Sequence, residues 1–140
     1  MHNPQFNEDV LPEHLKTVDV SYIHMVELGG LRHAKRGSIN TGWRNASFRG
    51  YADYMQTPEF EKAIGNLIQL ASREQVALMC AEAVPWRCHR SLIEDALSIR
   101  GIRCEDIINV NNCRVHSLTS FAKVQGTQII YPEENGTKTK

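Results

Sequence analysis

A chain of 140 residues, 41% hydrophobic and 23% charged, has the size and composition of one soluble globular domain. Sixteen Lys and Arg against sixteen Asp and Glu leave no net charge, which argues against a dedicated nucleic-acid binder, a class that carries a basic excess. No apolar run approaches the roughly 20 residues that cross a bilayer, and no signal peptide precedes the first element, so the expected setting is cytoplasmic, with no membrane partner.

In that setting the four cysteines, Cys80, Cys88, Cys104 and Cys113, are expected to be reduced. Their spacings contain no CxxC pair, which excludes a zinc ribbon or a thioredoxin-type motif.

Leu11, Leu15 and Val18 around Pro12 predict a short helix, with Asp9 as its cap and Pro12 in its first turn. Val20, Tyr22, Ile23 and Met25 predict a strand. Between Glu27 and Gly50 the apolar signal nearly vanishes. Gly29-Gly30, Lys35-Arg36-Gly37 and Asn40-Thr41-Gly42 predict a loop of about twenty residues, a length that is either functional or disordered. It carries Arg32, Lys35, Arg36, Arg44 and Arg49, with Trp43 and Phe48 among them.

Thr57 before Pro58 marks the start of a helix whose apolar face is Phe60, Ile64, Leu67, Ile68 and Ala71, ending near Arg73. The apolar run from Val76 through Cys80 and Glu82 reads as a strand buried on both faces. After a proline-containing turn, Leu92, Ile93, Ala96, Leu97 and Ile99 predict a helix from Cys88 or His89 to Gly101. Ile107 to Val110 reads as the next parallel strand, Ser117 to Val124 as a last helix, and Ile129 to Tyr131 as a short edge strand. The polar tail, residues 133–140, is expected to be disordered. Alternating helices and strands predict one α/β domain over residues 1–132, built on a small, open, mostly parallel sheet with flanking helices.

Several segments carry a family resemblance: His2-Asn3-Pro4-Gln5-Phe6-Asn7, Leu28-Gly29-Gly30-Leu31-Arg32, Asn40-Thr41-Gly42-Trp43-Arg44-Asn45, Phe48-Arg49-Gly50-Tyr51-Ala52-Asp53-Tyr54-Met55, and Met79-Cys80-Ala81-Glu82 with Cys88-His89-Arg90. Together they resemble the domain-of-unknown-function family 488 over roughly residues 2–121. The resemblance implies a Rossmann-like or flavodoxin-like α/β fold and assigns no reaction. It also implies a first β-α-β portion, which would precede His2 and is not found here. Loss of that portion would expose a sheet edge and favour a homo-oligomer.

In an open α/β sheet, ligands bind beyond the carboxyl ends of the strands. The strand-turn-helix around residues 76–97 would bring Cys80, Glu82, Cys88, His89 and Arg90 to that edge. Cys88, at a helix N-terminus beside Arg87, His89 and Arg90, has the surroundings of a nucleophilic thiolate, and equally the size of a residue that packs a turn. Glu82 suits a general base or a structural ion pair, with His89 assisting Cys88. Cys80 reads first as core. Arg90 and the helix start suit a phosphate or carboxylate, with Arg49 and Tyr51 as a second clamp. Trp43 would stack on a ring or anchor its loop, and His116 would approach the same edge or cap the last helix.

A cysteine-phosphatase loop is excluded, since its arginine position falls on Trp86 counted from Cys80 and on Glu94 counted from Cys88. A metal site from Cys80, Cys88, His89 and His116 has the ligand count, but adjacent Cys88 and His89 diverge, and no metal is assigned. No cofactor can be named from these residues. The expected function is binding of an anionic small molecule, such as a nucleotide, at the sheet edge, with thiol-dependent catalysis left open. The alternatives are a nucleic-acid-associated module using the basic 32–49 loop, and a non-catalytic remnant.

Overall fold

The computed structural model describes residues 11–30, 32–79 and 89–133. Among the described residues four α-helices, α1 (Leu11–Lys16), α2 (Ala46–Tyr54), α3 (Pro58–Arg73) and α4 (Arg90–Ser98), precede four short strands. The strands are β1 (Glu105–Asn109), β2 (Asn112–Val115), β3 (Lys123–Gln125) and β4 (Gln128–Ile130).

Local chemistry explains the helix ends. The side-chain oxygen of Asn45 accepts from the Ser47 and Phe48 amides at 2.8 and 3.2 Å, opening α2 inside the segment expected to be loop. Thr57 caps α3 by accepting from the Phe60 amide at 3.3 Å, with Pro58 as the first helical residue. Beyond α4, Gly101 takes a φ of +84°. Its amide bonds Ser98 O, and the Ile102 amide reaches back to Leu97 O at 3.1 Å, the paired bonds that close a helix on a left-handed glycine.

The core lies where α2, α3 and α4 meet the C-terminal hairpin. Tyr51 and Ala52 from α2, Phe60 and Ile64 from α3, Leu92 and Ala96 from α4, and Ile129 and Tyr131 are all buried in it.

Among the described residues the fold is mixed α/β, without the expected parallel sheet. Both sheets are two-stranded antiparallel hairpins, β1–β2 and β3–β4. The stretch read as a parallel strand at Ile107–Val110 turns back on itself through Val110 and Asn111, pairing Asp106 with Arg114 and Ile107 with Cys113. A parallel partner needs a crossover of a dozen or more residues, whereas this turn permits an antiparallel one.

The strand expected at 20–25 is irregular backbone followed by a 3-10 turn, Val26–Leu28, with Val20 and Ile23 exposed. Residues 76–79 likewise pair with nothing in a sheet among the described residues, and residues 80–82 lie outside them. The last helix is also absent. Thr119 spends its amide and hydroxyl on Asp95, Phe121 turns into an aromatic cluster, and β3 begins at Lys123. Of the expected tail, only Glu133 is described.

Two buried aspartates fix the loops that frame the site. Asp53, on α2, accepts from the Lys35 amide at 2.7 Å, Ser38 Oγ at 2.6 Å and Asn40 Nδ2 at 2.7 Å, folding the 35–40 loop onto the helix. Asn40 Oδ1 in turn accepts from the Tyr131 amide at 2.8 Å, which joins that loop to the chain after β4. The second aspartate is Asp95.

Candidate functional site

Helix α4 buries six consecutive residues, Leu92 to Leu97, including Glu94 and Asp95. A buried carboxylate is stable only when donors replace the water it loses. Asp95 is fully buried and has four. His116 Nε2–H and the Thr119 amide donate to Oδ1 at 2.7 and 3.1 Å, and the hydroxyls of Thr119 and Tyr131 donate to Oδ2 at 2.6 and 2.8 Å. The Tyr131 hydroxyl holds its proton strongly, because burial and the Asp95 charge both oppose its ionisation.

The other ring nitrogen of His116, Nδ1, lies 2.8 Å from Glu94 Oε1. With carboxylates on both nitrogens, the imidazole is pushed up to about 9, against the opposing effect of its own burial. The Glu94 carboxyl is raised by burial and by a hydrogen bond with Asp106, while His116 pulls it down. Ligand atoms of Glu94, Asp106 and His116 all lie within 4.8 Å of one another.

A cavity of about 250 Å³ opens beside this cluster, between α3, α4, residues 76–78 and β1. Arg90 and Glu94, four residues apart on one face of α4, both line it, as do Cys104 and Asp106. Burial and the surrounding carboxylates push the Cys104 thiol up to about 11, the opposite of what a nucleophilic thiol requires.

A second group of side chains packs where α2, α4 and the 26–33 segment meet. The Leu28 carbonyl accepts from the Tyr51 hydroxyl at 2.8 Å and lies 3.1 Å from His89 Nε2, which must therefore carry the proton. The His89 and Tyr51 rings sit 4.7 Å apart. Burial lowers the His89 pKa, and the charges of Arg90 and Arg32 add to that, against the Leu28 hydrogen bond. Gly50 is required on α2, because a Cβ there would lie 2.1 Å from the Arg32 carbonyl oxygen.

Positions 1–97 match the family model described as "Domain of unknown function DUF488". The chain belongs to the DUF488 family. No curated protein and no solved structure matches it. In this DUF488 chain the Glu94–Asp95 pair lies inside the family match, whereas Asp106, His116, Thr119 and Tyr131 follow it.

Cys80, Glu82 and Cys88 lie outside the described residues. Of the remaining candidates, Arg90 lines the cavity and His116 joins the acidic cluster beside it. His89, Tyr51, Arg49 and Trp43 do not line it. The Arg49 guanidinium donates to the carbonyls of Trp43 and Arg44 at 3.4 and 3.3 Å, bracing the loop before α2. Trp43 packs against Phe48, Phe121 and Tyr131, with ring centroids 4.9–5.4 Å away. The gathering point is thus the flank of α4, because no parallel sheet is present among the described residues to offer a carboxyl edge.

Glu94, Asp95 and Asp106 were not singled out from the sequence. A signal was available: Glu94-Asp95 interrupts the apolar run Leu92-Ile93…Ala96-Leu97, and adjacent acids on so apolar a helix cannot both face water.

Among the described residues no helix is long and apolar enough to cross a membrane.

Proposed function

We propose that this DUF488 chain binds a small anionic molecule in the cavity beside α4. The observation that supports the reading is the place of Arg90: it is the first residue of α4 and lines the cavity, whose other walls include Leu67, Ile68, Leu97 and Ile102. A guanidinium at a helix N-terminus above apolar walls suits a phosphate or carboxylate on a compact body. Pockets for drug-sized ligands run from about 300 to 1,000 Å³. A cavity of about 250 Å³ favours a phosphomonoester or short carboxylic acid over a whole nucleotide. Cys88, two residues before Arg90, would supply the thiol of a covalent step, with Glu82 as its base.

Calorimetric titration with inorganic phosphate and glycerol phosphate tests the binding. Arg90→Gln should abolish saturable binding, and Arg49→Gln, whose guanidinium braces a loop, should leave it intact. Equal affinity in wild type and Arg90→Gln removes the reading. Iodoacetamide labelling against pH tests the thiol, which must titrate well below the free-thiol value of about 8.5.

A further inference from the structure

We propose that Glu94, Asp106 and His116 form a binding site for a divalent first-row metal ion, His116 ligating through Nδ1. Three features of the geometry converge on this. The donor set comes first. One imidazole nitrogen and two carboxylates, from α4, β1 and the residue after β2, bring their ligand atoms within 4.8 Å of one another. Around a tetrahedral ion with bonds of about 2.0 Å, ligand atoms stand about 3.3 Å apart. His116 Nδ1 and Glu94 Oε1, now 2.8 Å apart, need to separate by only about half an ångström to admit one.

The second feature lies outside the cluster. Asp95 accepts the Nε2 proton of His116 and is itself held by Thr119 and Tyr131. That contact fixes the ring plane and keeps the proton on Nε2, and it leaves Nδ1 facing Glu94, so the ion would take the place of the proton the two share. A carboxylate on the far nitrogen is the arrangement that orients metal-bound imidazoles, and its removal costs about 10–100-fold in metal affinity. Asp95 is in this sense a positioning residue, not a ligand.

The third feature is access. Glu94 and Asp106 line the cavity, so three protein ligands would leave a coordination position open to a small molecule. The mixed nitrogen and carboxylate set suits Zn²⁺ or Mn²⁺ better than a thiolate-seeking ion. The metal site does not depend on the anion reading: it stands if phosphate never binds.

The test uses the full chain, stripped with chelator and titrated separately with Zn²⁺ and Mn²⁺ by calorimetry. One ion per chain is expected, with Asp106→Asn weakening binding at least tenfold. Asp95→Asn, which keeps shape but alters the partner of Nε2, should weaken it about 10–100-fold. Glu105→Gln removes a neighbouring carboxylate from the same wall and should leave affinity unchanged. ¹⁵N spectra of His116 give a second readout that a folding defect would not mimic: the metal should shift Nδ1 selectively in the wild type. Absence of saturable binding below about 1 mM, equal losses in Asp106→Asn and Glu105→Gln, or an unmoved Nδ1 resonance would each overturn the proposal.

Discussion

His89 and His116 flank the same helix and are both partly buried, yet their environments drive them in opposite directions. Desolvation lowers the pKa of each. Around His89 burial is the largest cause and the charges of Arg90 and Arg32 add to it, outweighing the Leu28 carbonyl, so the pKa falls. Around His116 both nitrogens meet carboxylates, and the ring is pushed up to about 9. Burial works against the charge of both rings, and only at His116 do carboxylates overcome it. His89, wedged between Tyr51 and Gly30 with its proton given to Leu28, works as a packing element in the described structure. His116 is the ring whose charge is coupled to other groups.

The largest effect that would break this comparison is expected at Asp95. Asp95→Ala strips a partner from His116, Thr119 and Tyr131 at once, leaving buried donors without acceptors. Breaking a buried, hydrogen-bonded charge pair in this way costs about 3–5 kcal/mol. His89→Gln keeps an amide that can donate to a carbonyl Tyr51 also serves, so it costs at most about 1 kcal/mol. Urea denaturation of both variants measures the difference, and equal losses would mean that the two histidines are alike in structural weight.

Much of the helical frame was legible and the pairing of strands was not, for a physical reason. Thr57-Pro58 and Gly101 act on their own neighbours, so the ends of α3 and α4 follow from a few adjacent residues. The direction of pairing at Ile107–Val110 depends on which chain lies alongside, and apolar periodicity is silent on that. At 76–79 the same apolar signal is present, and no sheet partner is found among the described residues. The site divides in the same way. Arg90 was readable from its position at a helix start. The sequence points to His116 as well, but for the start of a helix that does not form. Its partners Glu94 and Asp95 are bound to it only because β1, β2 and Tyr131 close over α4, contacts made across 21 and 36 residues.

A smaller effect is expected with pH in chelator-treated protein, on the alkaline side. The folded pKa of His116 is raised, so its contribution is fully present below the unfolded value of about 6.5 and is lost as pH rises through about 9. The proton lost is the one on Nδ1 facing Glu94, and the donors to Asp95 stay in place, so the loss should be smaller than in Asp95→Ala. Thermal melts from pH 6.5 to 9.5 should fall in the wild type and flatten in His116→Asn. A wild type with no decline would mean that the two carboxylates do not hold the imidazolium.

The smallest effect belongs to His89, on the acid side. Its folded pKa is depressed, so the unfolded chain takes a proton that the folded chain resists. The corresponding stability is present above the ordinary value of about 6.5 and is lost as pH falls through the folded value. The loss is limited because the Leu28 carbonyl also favours the protonated ring and opposes part of the desolvation. His89→Gln keeps a side-chain amide that can donate to Leu28 and has no proton to gain. Its acid-side slope should therefore be shallower than that of the wild type, while its alkaline slope, set by His116, should be unchanged. If instead His89→Gln flattens both limbs, the two histidines titrate as one coupled system through α4, and the contrast between neutral wedge and charged bridge gives way to a single network.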